Sequence, residues 1–292
     1  MSLPKFTIVT PSYNQAHYLE ETIRSVLDQG YPNLEYIIVD GGSKDHSVEI
    51  IRKYERHVAW WVSEKDRGQT DALNKGFARA TGDVLGFINS DDTLKPGALN
   101  FAAKHFQEGA KWIVGWVEFV EGDDCNFPQV WQDYERVADW FVTNPIPQQG
   151  TFWSRDLWQQ YGGFRDDLQL VFDYEFWMRL RFRARVTPKT VRRCMATYRL
   201  HPDSKTCSQT TLYTPENERV RAEYMKLLSP EELRLVLRKR RERAVERSRV
   251  AGWRALKSAD VPQARTYARQ TLRLAPLWPE SWRLAYCALR GR

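Results

Sequence analysis

Two adjacent carboxylates, Asp91 and Asp92, stand just past a short apolar run at 84–89 (VLGFIN). Tandem carboxylate oxygens are hard ligands that suit Mg²⁺ or Mn²⁺, and a cation held in this way bridges the phosphate oxygens of a substrate, so a diphosphate ligand is implied. Asp40 ends a second run, 35–40 (EYIIVD), and precedes Gly41 and Gly42, which allow close backbone approach. Its carboxylate can accept hydrogen bonds from a base N–H or a ribose hydroxyl. Gln148 and Gln149 follow the Pro145-Ile146-Pro147 break and offer amides to acceptor hydroxyls. The chain carries neither a GxGxxG fingerprint nor a GxxxxGK[ST] phosphate loop, which ranks NAD enzymes and P-loop NTPases low. Cys125, Cys194, Cys207 and Cys287 show no CxxC spacing and read as ordinary thiols rather than a zinc site or a disulfide framework.

These residues need a scaffold, and the first part of the chain supplies one. Residues 5–10 (KFTIVT), 35–40, 58–63 (VAWWVS) and 84–89 are strand candidates by β-branched and aromatic content. Between the first two, Tyr18, Leu19, Ile23, Val26 and Leu27 share a helical face. Asp45 can cap a second helix with Val48, Ile50, Ile51 and Tyr54 as its buried side, and Asp71–Ala80 reads as a third. Alternation of this kind predicts a parallel α/β sheet covered by helices, whose ligands bind beyond the carboxyl ends of the strands. All four ends are polar: Pro11-Ser12-Tyr13-Asn14, Asp40 through Asp45, Glu64-Lys65-Asp66-Arg67-Gly68, and Ser90-Asp91-Asp92. Turn chemistry accounts for any one of them, but four in register argue for a site.

The 292 residues, 42% of them apolar, suffice for one large domain with an appendage. Residues 206–292 carry 19 basic and 9 acidic side chains, leaving 25 basic and 28 acidic for 1–205, so a boundary is expected near Thr206. The slightly acidic first part suits a cation-holding cleft, and the basic remainder suits an anionic lipid, polymer or nucleic acid, although a solvated helix face needs no partner. Glu231–Val250 reads as a basic amphipathic helix able to lie on an anionic membrane. The segment from Trp253 to Trp282 resembles one tetratricopeptide-like helical hairpin, which must pack on the body or on another subunit of a homo-oligomer. No recognised module supports nucleic-acid binding. The longest strongly apolar stretch, Trp112–Val117, is too short to span a bilayer, and the N-terminus lacks a signal-peptide pattern, so the expected location is cytoplasmic, with a peripheral contact at the inner face of the membrane. Seven tryptophans, Trp112, Trp116, Trp131, Trp140, Trp153, Trp158 and Trp177, read mostly as core. Glu121–Phe127 reads as a mobile loop near the acceptor side.

Three stretches, TIVTPSYNQAHYLEETIRSVLDQGYPNLEYIIVDGGSKD, EKDRGQTDALNKGFARATGDVLGFINSDD and GGFRDDLQLVFDYEFWMRL, make the first 205 or so residues resemble glycosyltransferase family 2. The resemblance implies a GT-A fold (a Rossmann-like α/β domain, here with a helical C-terminal extension), a nucleotide-sugar donor with UDP as the common nucleotide, Mn²⁺ or Mg²⁺, and transfer with inversion at the anomeric carbon to a glycan or lipid-linked hydroxyl, as in polysaccharide biosynthesis. Carried over by position, it places Pro11, Ser12, Tyr13 and Asn14 in the first nucleotide loop, Asp40 at the base, and Asp66 and Asp71 on the donor side. Asp91 and Asp92 fall on the metal and ribose motif written DxD, whose first position here is Asn89, so which Asp is the direct ligand stays open. Asp173 matches the catalytic carboxylate, with Phe172 where an acid often precedes it and Glu175 as the competitor on the acceptor side. His201, in Tyr198-Arg199-Leu200-His201-Pro202, resembles a late histidine that completes some metal sites.

Each of these residues also has a plainer reading: Asp173 as a helix N-cap, His201 as the end of a strand, Asp91-Asp92 as a helix-start signal. Two other functions fit the same residues, a nucleotidyltransferase and a non-catalytic module that binds sugar nucleotides or glycans. The lack of a Gly-rich basic triphosphate loop near Pro11 weighs against the first. Acids at both the metal and base positions weigh against the second.

Overall fold

The computed structural model describes residues 2–121, 124–128, 134–202, 204–205 and 210–291. The chain forms two compact units, Met1–Glu135 with Asn144–Leu227, and Arg136–Thr143 with Leu228–Arg292. The first unit runs β1 (Phe6–Ser12), α1 (Ala16–Leu27), β2 (Leu34–Asp40), α2 (Ser47–Tyr54), β3 (Trp60–Ser63), α3 (Gln69–Arg79), β4 (Val84–Phe87), β5 (Thr93–Leu94), α4 (Ala98–Gln107), β6 (Trp112–Glu121) and β7 (Asp124–Pro128). After α5 (Val137–Trp140), which belongs to the second unit, it continues with β8 (Thr151–Ser154), α6 (Arg155–Tyr161), α7 (Phe172–Phe182), β9 (Lys189–Leu200) and α8 (Thr210–Met225).

Among the described residues the strands form one sheet in the order β3-β2-β1-β4-β8-β6-β9-β5, with β7 paired to β6. The four anticipated strands are parallel, and Ser12, Asp40 and Ser63 lie abreast in register, so their carboxyl ends open at one level. Beyond β4 the expectation of a parallel sheet fails. β8 runs antiparallel to both β4 and β6, and β5 runs antiparallel to β9. β9 (KTVRRCMATYRL) is rich in cations and shows no apolar run, which is why it does not announce itself in the sequence. Of the expected loop Glu121–Phe127, Glu121 ends β6 and residues 124–127 belong to strand β7, while residues 122–123, and Trp131 beyond it, lie outside the described residues.

The two faces of the sheet bury different cores. On one, Phe6, Ile8 and Ile38 pack with Leu19 and Ile23 of α1 and Leu99 and Ala102 of α4. On the other, aromatic rings interlock, with Trp153 5.3 Å from Trp177 and 5.5 Å from Phe176, and Phe87 5.5 Å from Phe164. Gly76 lets α3 lie directly on β1, since a Cβ there would stand 2.6 Å from Val9 Cγ1. Helix α7 is buried on nearly every side, because sheet, α6 and α8 surround it. Its Glu175 and Arg179 form an ion pair inside the protein. The same Glu175 accepts from Tyr224 Oη at 2.6 Å, and Arg179 donates to the carbonyls of Tyr161, Gly162 and Gly163 at 2.8, 3.1 and 2.9 Å.

Helix α8 is held by the first unit through Tyr224, through Glu223 bonded to Arg165 and Arg183 at 2.7 Å each, and through Glu216, which accepts from the N–H groups of Gln169 and Leu170 at 2.9 Å. The units therefore part after Leu227, past the change of charge near Thr206, which itself lies outside the described residues. The second unit consists of α5 and three longer helices, α9 (Pro230–Lys257), α10 (Val261–Leu274) and α11 (Pro279–Arg290). Ser229 and Glu232 close a capping box at the start of α9. Ala255, Ala264, Ala268, Leu284 and Ala288 form the small core of this unit. No helix among the described residues is long and apolar enough to cross a membrane.

At the amino ends of the strands, Glu35 takes hydrogen bonds from Thr7 Oγ1 (2.5 Å), Thr81 N (2.7 Å), Thr81 Oγ1 (2.5 Å) and Lys5 Nζ (2.9 Å). Burial works against its ionised form, yet these donors outweigh burial and hold its pKa at about 2. The folded-state pKa lies below the unfolded value, so the stabilisation is present above about pH 4.5 and fades as pH falls toward 2. We expect Glu35→Gln to lower unfolding free energy by about 2 kcal/mol at pH 7 and by much less near the bottom of that range, as read from urea denaturation at both pH values.

Candidate active site

A cavity of about 760 Å³ opens beyond the carboxyl ends of the parallel strands. Of the residues expected to contact a nucleotide, Pro11, Ser12, Tyr13, Asp66 and Asp91 line it, and Asp173, Gln148 and Gln149 do so from other parts of the chain. Ser12 is buried, and its Oγ has no hydrogen-bond partner among the described residues. Tyr13 projects with 59% of its surface exposed. Asp66 packs against Gly41, where a Cβ would stand 2.7 Å from Oδ2, so this glycine makes room for a carboxylate.

Three of the expected donor-side residues make internal bonds that also shape the loops around the cavity. Asp40 is fully buried, and its carboxylate accepts from the N–H groups of Gly42 (3.1 Å) and Ser43 (2.8 Å) and from the hydroxyls of Ser43 (2.5 Å) and Ser63 (2.7 Å). Four internal donors leave little capacity for a base. Asn14 adopts φ 52°, and its backbone N–H and side-chain oxygen pin Ser43 and Lys44. Asp71 pairs with Arg67 at 2.7 Å, and Arg67 also reaches Asp166 at 2.9 Å, tying the 64–68 loop to the 164–167 segment. Asp45 does not cap a single helix. It accepts from Ser47 N at 3.0 Å and Ala16 N at 2.9 Å, at the starts of both α2 and α1, and although burial opposes it, these bonds hold its pKa below the usual carboxylate range.

The tandem acids divide their work. Asp91 stands on the cavity wall with Oδ2 3.0 Å from His201 Nε2. Asp92, expected as a second metal ligand, is fully buried, and every donor near it is internal: Arg199 N to Oδ1 at 2.9 Å, Gln149 Nε2 and Asn89 Nδ2 to Oδ2 at 2.9 and 3.2 Å. Burial, then the charge of Asp91, push its pKa well above the ordinary value against those three donors. Gln148 is likewise tied in, donating to Phe87 O at 2.7 Å and accepting from Asn89 at 3.3 Å, so each glutamine spends one of its two amide N–H donors inside the protein. Asp91 and His201 thus form an oxygen–nitrogen pair at the cavity edge. Among the described residues no cluster of three or more His, Cys, Asp or Glu could hold a metal alone. Two protein ligands fit Mg²⁺ or Mn²⁺ when substrate phosphates and water complete the shell.

Asp173 is the second residue of α7 rather than its N-cap, which is Val171. It keeps contact with the cavity, but dense protein around it raises its pKa to about 6, against the pull of Tyr174 N–H at 2.6 Å and Asn144 Nδ2 at 3.5 Å. Glu175 points the other way, into its pairing with Arg179 and Tyr224. Of the two acids, Asp173 alone faces the cavity. Sequence reasoning overlooked Lys65, Gln69, Asn144 and Lys205, all on the wall. Gln69 receives Lys205 Nζ at 3.1 Å and donates to Asn89 Oδ1 at 2.7 Å, placing a cation beside the acids. Lys65 lay within a segment already singled out, whereas nothing in the sequence around Lys205 marks it.

The model for glycosyl transferase family 2 matches residues 7–184. The chain belongs to this family. It is an α/β glycosyltransferase with a C-terminal helical region. It is 32% identical over 184 residues to an uncharacterised glycosyltransferase of Mycobacterium tuberculosis, covering 61% of this chain and 69% of that one. A glycosyltransferase of Bacillus subtilis named for teichuronic acid biosynthesis, TuaG, is 41% identical over 101 residues, 33% of this chain and 39% of its own. Two solved structures share the GT-A fold. S. aureus TarS 1-349 in complex with UDP-GlcNAc has a TM-score of 0.65 at 19% identity over 98% of this chain and 88% of that one. The mannosyltransferase PcManGT from Pyrobaculum calidifontis, in complex with GDP-Man and Mn²⁺, has a TM-score of 0.54 at 19% identity over 99% and 86%.

The two acids of this glycosyltransferase on α7 should respond oppositely to neutralisation. Glu175→Gln leaves Arg179 without its buried counter-charge and should cost about 3 kcal/mol. Asp173 pays for ionisation at neutral pH because its folded-state pKa is raised, so Asp173→Asn should gain about 1–2 kcal/mol at pH 7, a difference that vanishes below about pH 4. Guanidinium denaturation of both variants checks this.

Proposed function

We propose that this enzyme moves a sugar from a nucleoside-diphosphate sugar to a hydroxyl of a glycan or lipid-linked acceptor, with inversion at the anomeric carbon. The observation that carries the reading is the presence in one cavity of Asp91, whose Oδ2 lies 3.0 Å from the buried His201 Nε2, and, separately, of Asp173 with a pKa raised to about 6. A group that must take up a proton near neutrality works best with such a value.

In this reading the acceptor oxygen attacks the anomeric carbon as the bond from that carbon to the diphosphate oxygen breaks. Asp173 Oδ takes the acceptor proton, and the nucleoside diphosphate leaves with the bonding pair. Asn144 and the Tyr174 N–H orient the carboxylate. Asp91 and His201 would hold the divalent cation, which when bound neutralises charge developing on the departing diphosphate. Lys205, carried by Gln69, adds positive charge at the same edge. Asp92 keeps Asp91 in place from behind, and buried Ser12 Oγ is available to a polar atom of the donor. The ligands in the TarS and PcManGT structures support a sugar nucleotide as donor, and the name of the Bacillus relative supports a role in polysaccharide biosynthesis.

With UDP- and GDP-sugars as donors, turnover should release nucleoside diphosphate; formation of pyrophosphate from a nucleoside triphosphate and a sugar 1-phosphate would instead identify a nucleotidyltransferase. Asp173→Asn should lower kcat by roughly 10²- to 10⁴-fold while the Kd for nucleoside diphosphate stays within about twofold. For the wild type, log kcat/KM should fall with unit slope as pH drops through about 6, because the protonated carboxyl can no longer accept. Full activity in the Asn variant would remove Asp173 from the role.

A further inference from the structure

The second unit displays an apolar surface on a helix other than the one its charge pattern drew attention to. Helix α9 turns Val236, Val245 and Ala255 inward. Helix α11 buries Ser281, Leu284 and Ala288 against its neighbours and exposes Trp282, Tyr286 and Leu289 at 61, 54 and 70%. At 100° per residue these three fall within one arc of the helix, and Trp278 at its N-cap continues the line. Leu277, just before it, is 93% exposed. Trp282 Nε1 already donates to Pro276 O at 2.8 Å, so the indole needs no further polar partner and its apolar ring faces outward.

Cations border this stripe. Arg290 stacks 4.6 Å from the Tyr286 ring, Arg283 lies on the adjoining side of the helix, and Arg265 donates to the carbonyls of Ala288 and Leu289 at 3.1 Å each. Across residues 228–292 there are 16 Lys and Arg against 6 Asp and Glu. An apolar stripe of Trp, Tyr and Leu rimmed by arginine matches a surface that is apolar inside and anionic at its edge, the interfacial region of an acidic bilayer. We infer that the α11 stripe seats this enzyme on an anionic lipid surface, with Trp282, Tyr286 and Leu289 entering the headgroup layer and Arg283 and Arg290 contacting lipid phosphates.

The test is co-sedimentation of the full chain with vesicles of phosphatidylcholine alone or with about a third phosphatidylglycerol, at physiological salt. The wild type should partition at least about tenfold more strongly onto the acidic vesicles, less so at about 1 M salt. Combining Trp282→Ala, Tyr286→Ala and Leu289→Ala should lower that partitioning about tenfold with far-UV circular dichroism unchanged, and Trp282→Ala alone should lower it partially. Arg283→Gln with Arg290→Gln should reduce the preference for acidic lipid. Equal binding to both vesicles, no binding to either, or binding indifferent to the stripe variants overturns the inference. So does a dimer in sedimentation velocity that the triple variant dissociates without any vesicle binding, because the stripe would then be covered by a second copy of the chain.

Discussion

A buried carboxylate holds the cavity of this glycosyltransferase together. Asp92 is buried between three segments far apart in sequence, receiving Asn89 from the end of β4, Gln149 from the turn before β8, and the Arg199 N–H from β9. Its own backbone carbonyl accepts from Thr22 Oγ1 of α1 at 2.7 Å. Removing any one donor would leave a buried carboxylate undersatisfied at a cost of about 1–3 kcal/mol, so the four segments are constrained together. Asp91 and His201 inherit their closeness from this knot, since each lies within two residues of one of its strands of chain.

A second constraint fixes the wall that carries Asp173. Helix α7 has almost no solvent-facing side, and an ion pair, a tyrosine hydroxyl and three carbonyl bonds lock its rotation. With the helix phase set, Asp173 can only face the cavity, in surroundings that disfavour its charge. Local cost of this kind is common where a group must exchange protons, and here it is sustained by aromatic packing behind the helix. On the proposed mechanism the two walls divide the reaction, one stabilising the leaving group and the other receiving the proton.

Much of this was legible in the sequence. The four parallel strands and the helices between them follow from apolar periodicity, and the polar ends of β1, β3 and β4 do line the cavity. What spacing alone did not resolve was direction. Asp91 and Asp92 are neighbours in an irregular turn and point to opposite sides, and Asp173 and Glu175 differ by about 200° on a helix, so one faces ligand space and the other the core. Asp40 and Asn14 have residue types suited to ligand contact, yet Ser43, Ser63 and nearby amides claim their polar atoms. The antiparallel half of the sheet escaped notice because β9 mixes arginines with buried residues, and Lys205 because one cation after a proline-containing turn carries no pattern.

The most direct test of the arrangement is calorimetric titration of a nucleoside-diphosphate sugar into the protein with and without Mn²⁺, for the wild type, Asp91→Asn and Asp173→Asn. The account predicts that Mn²⁺ tightens binding to the wild type and to Asp173→Asn alike, and that Asp91→Asn abolishes the tightening. A metal effect that survives in Asp91→Asn, or that disappears in Asp173→Asn, would contradict the division of the two walls.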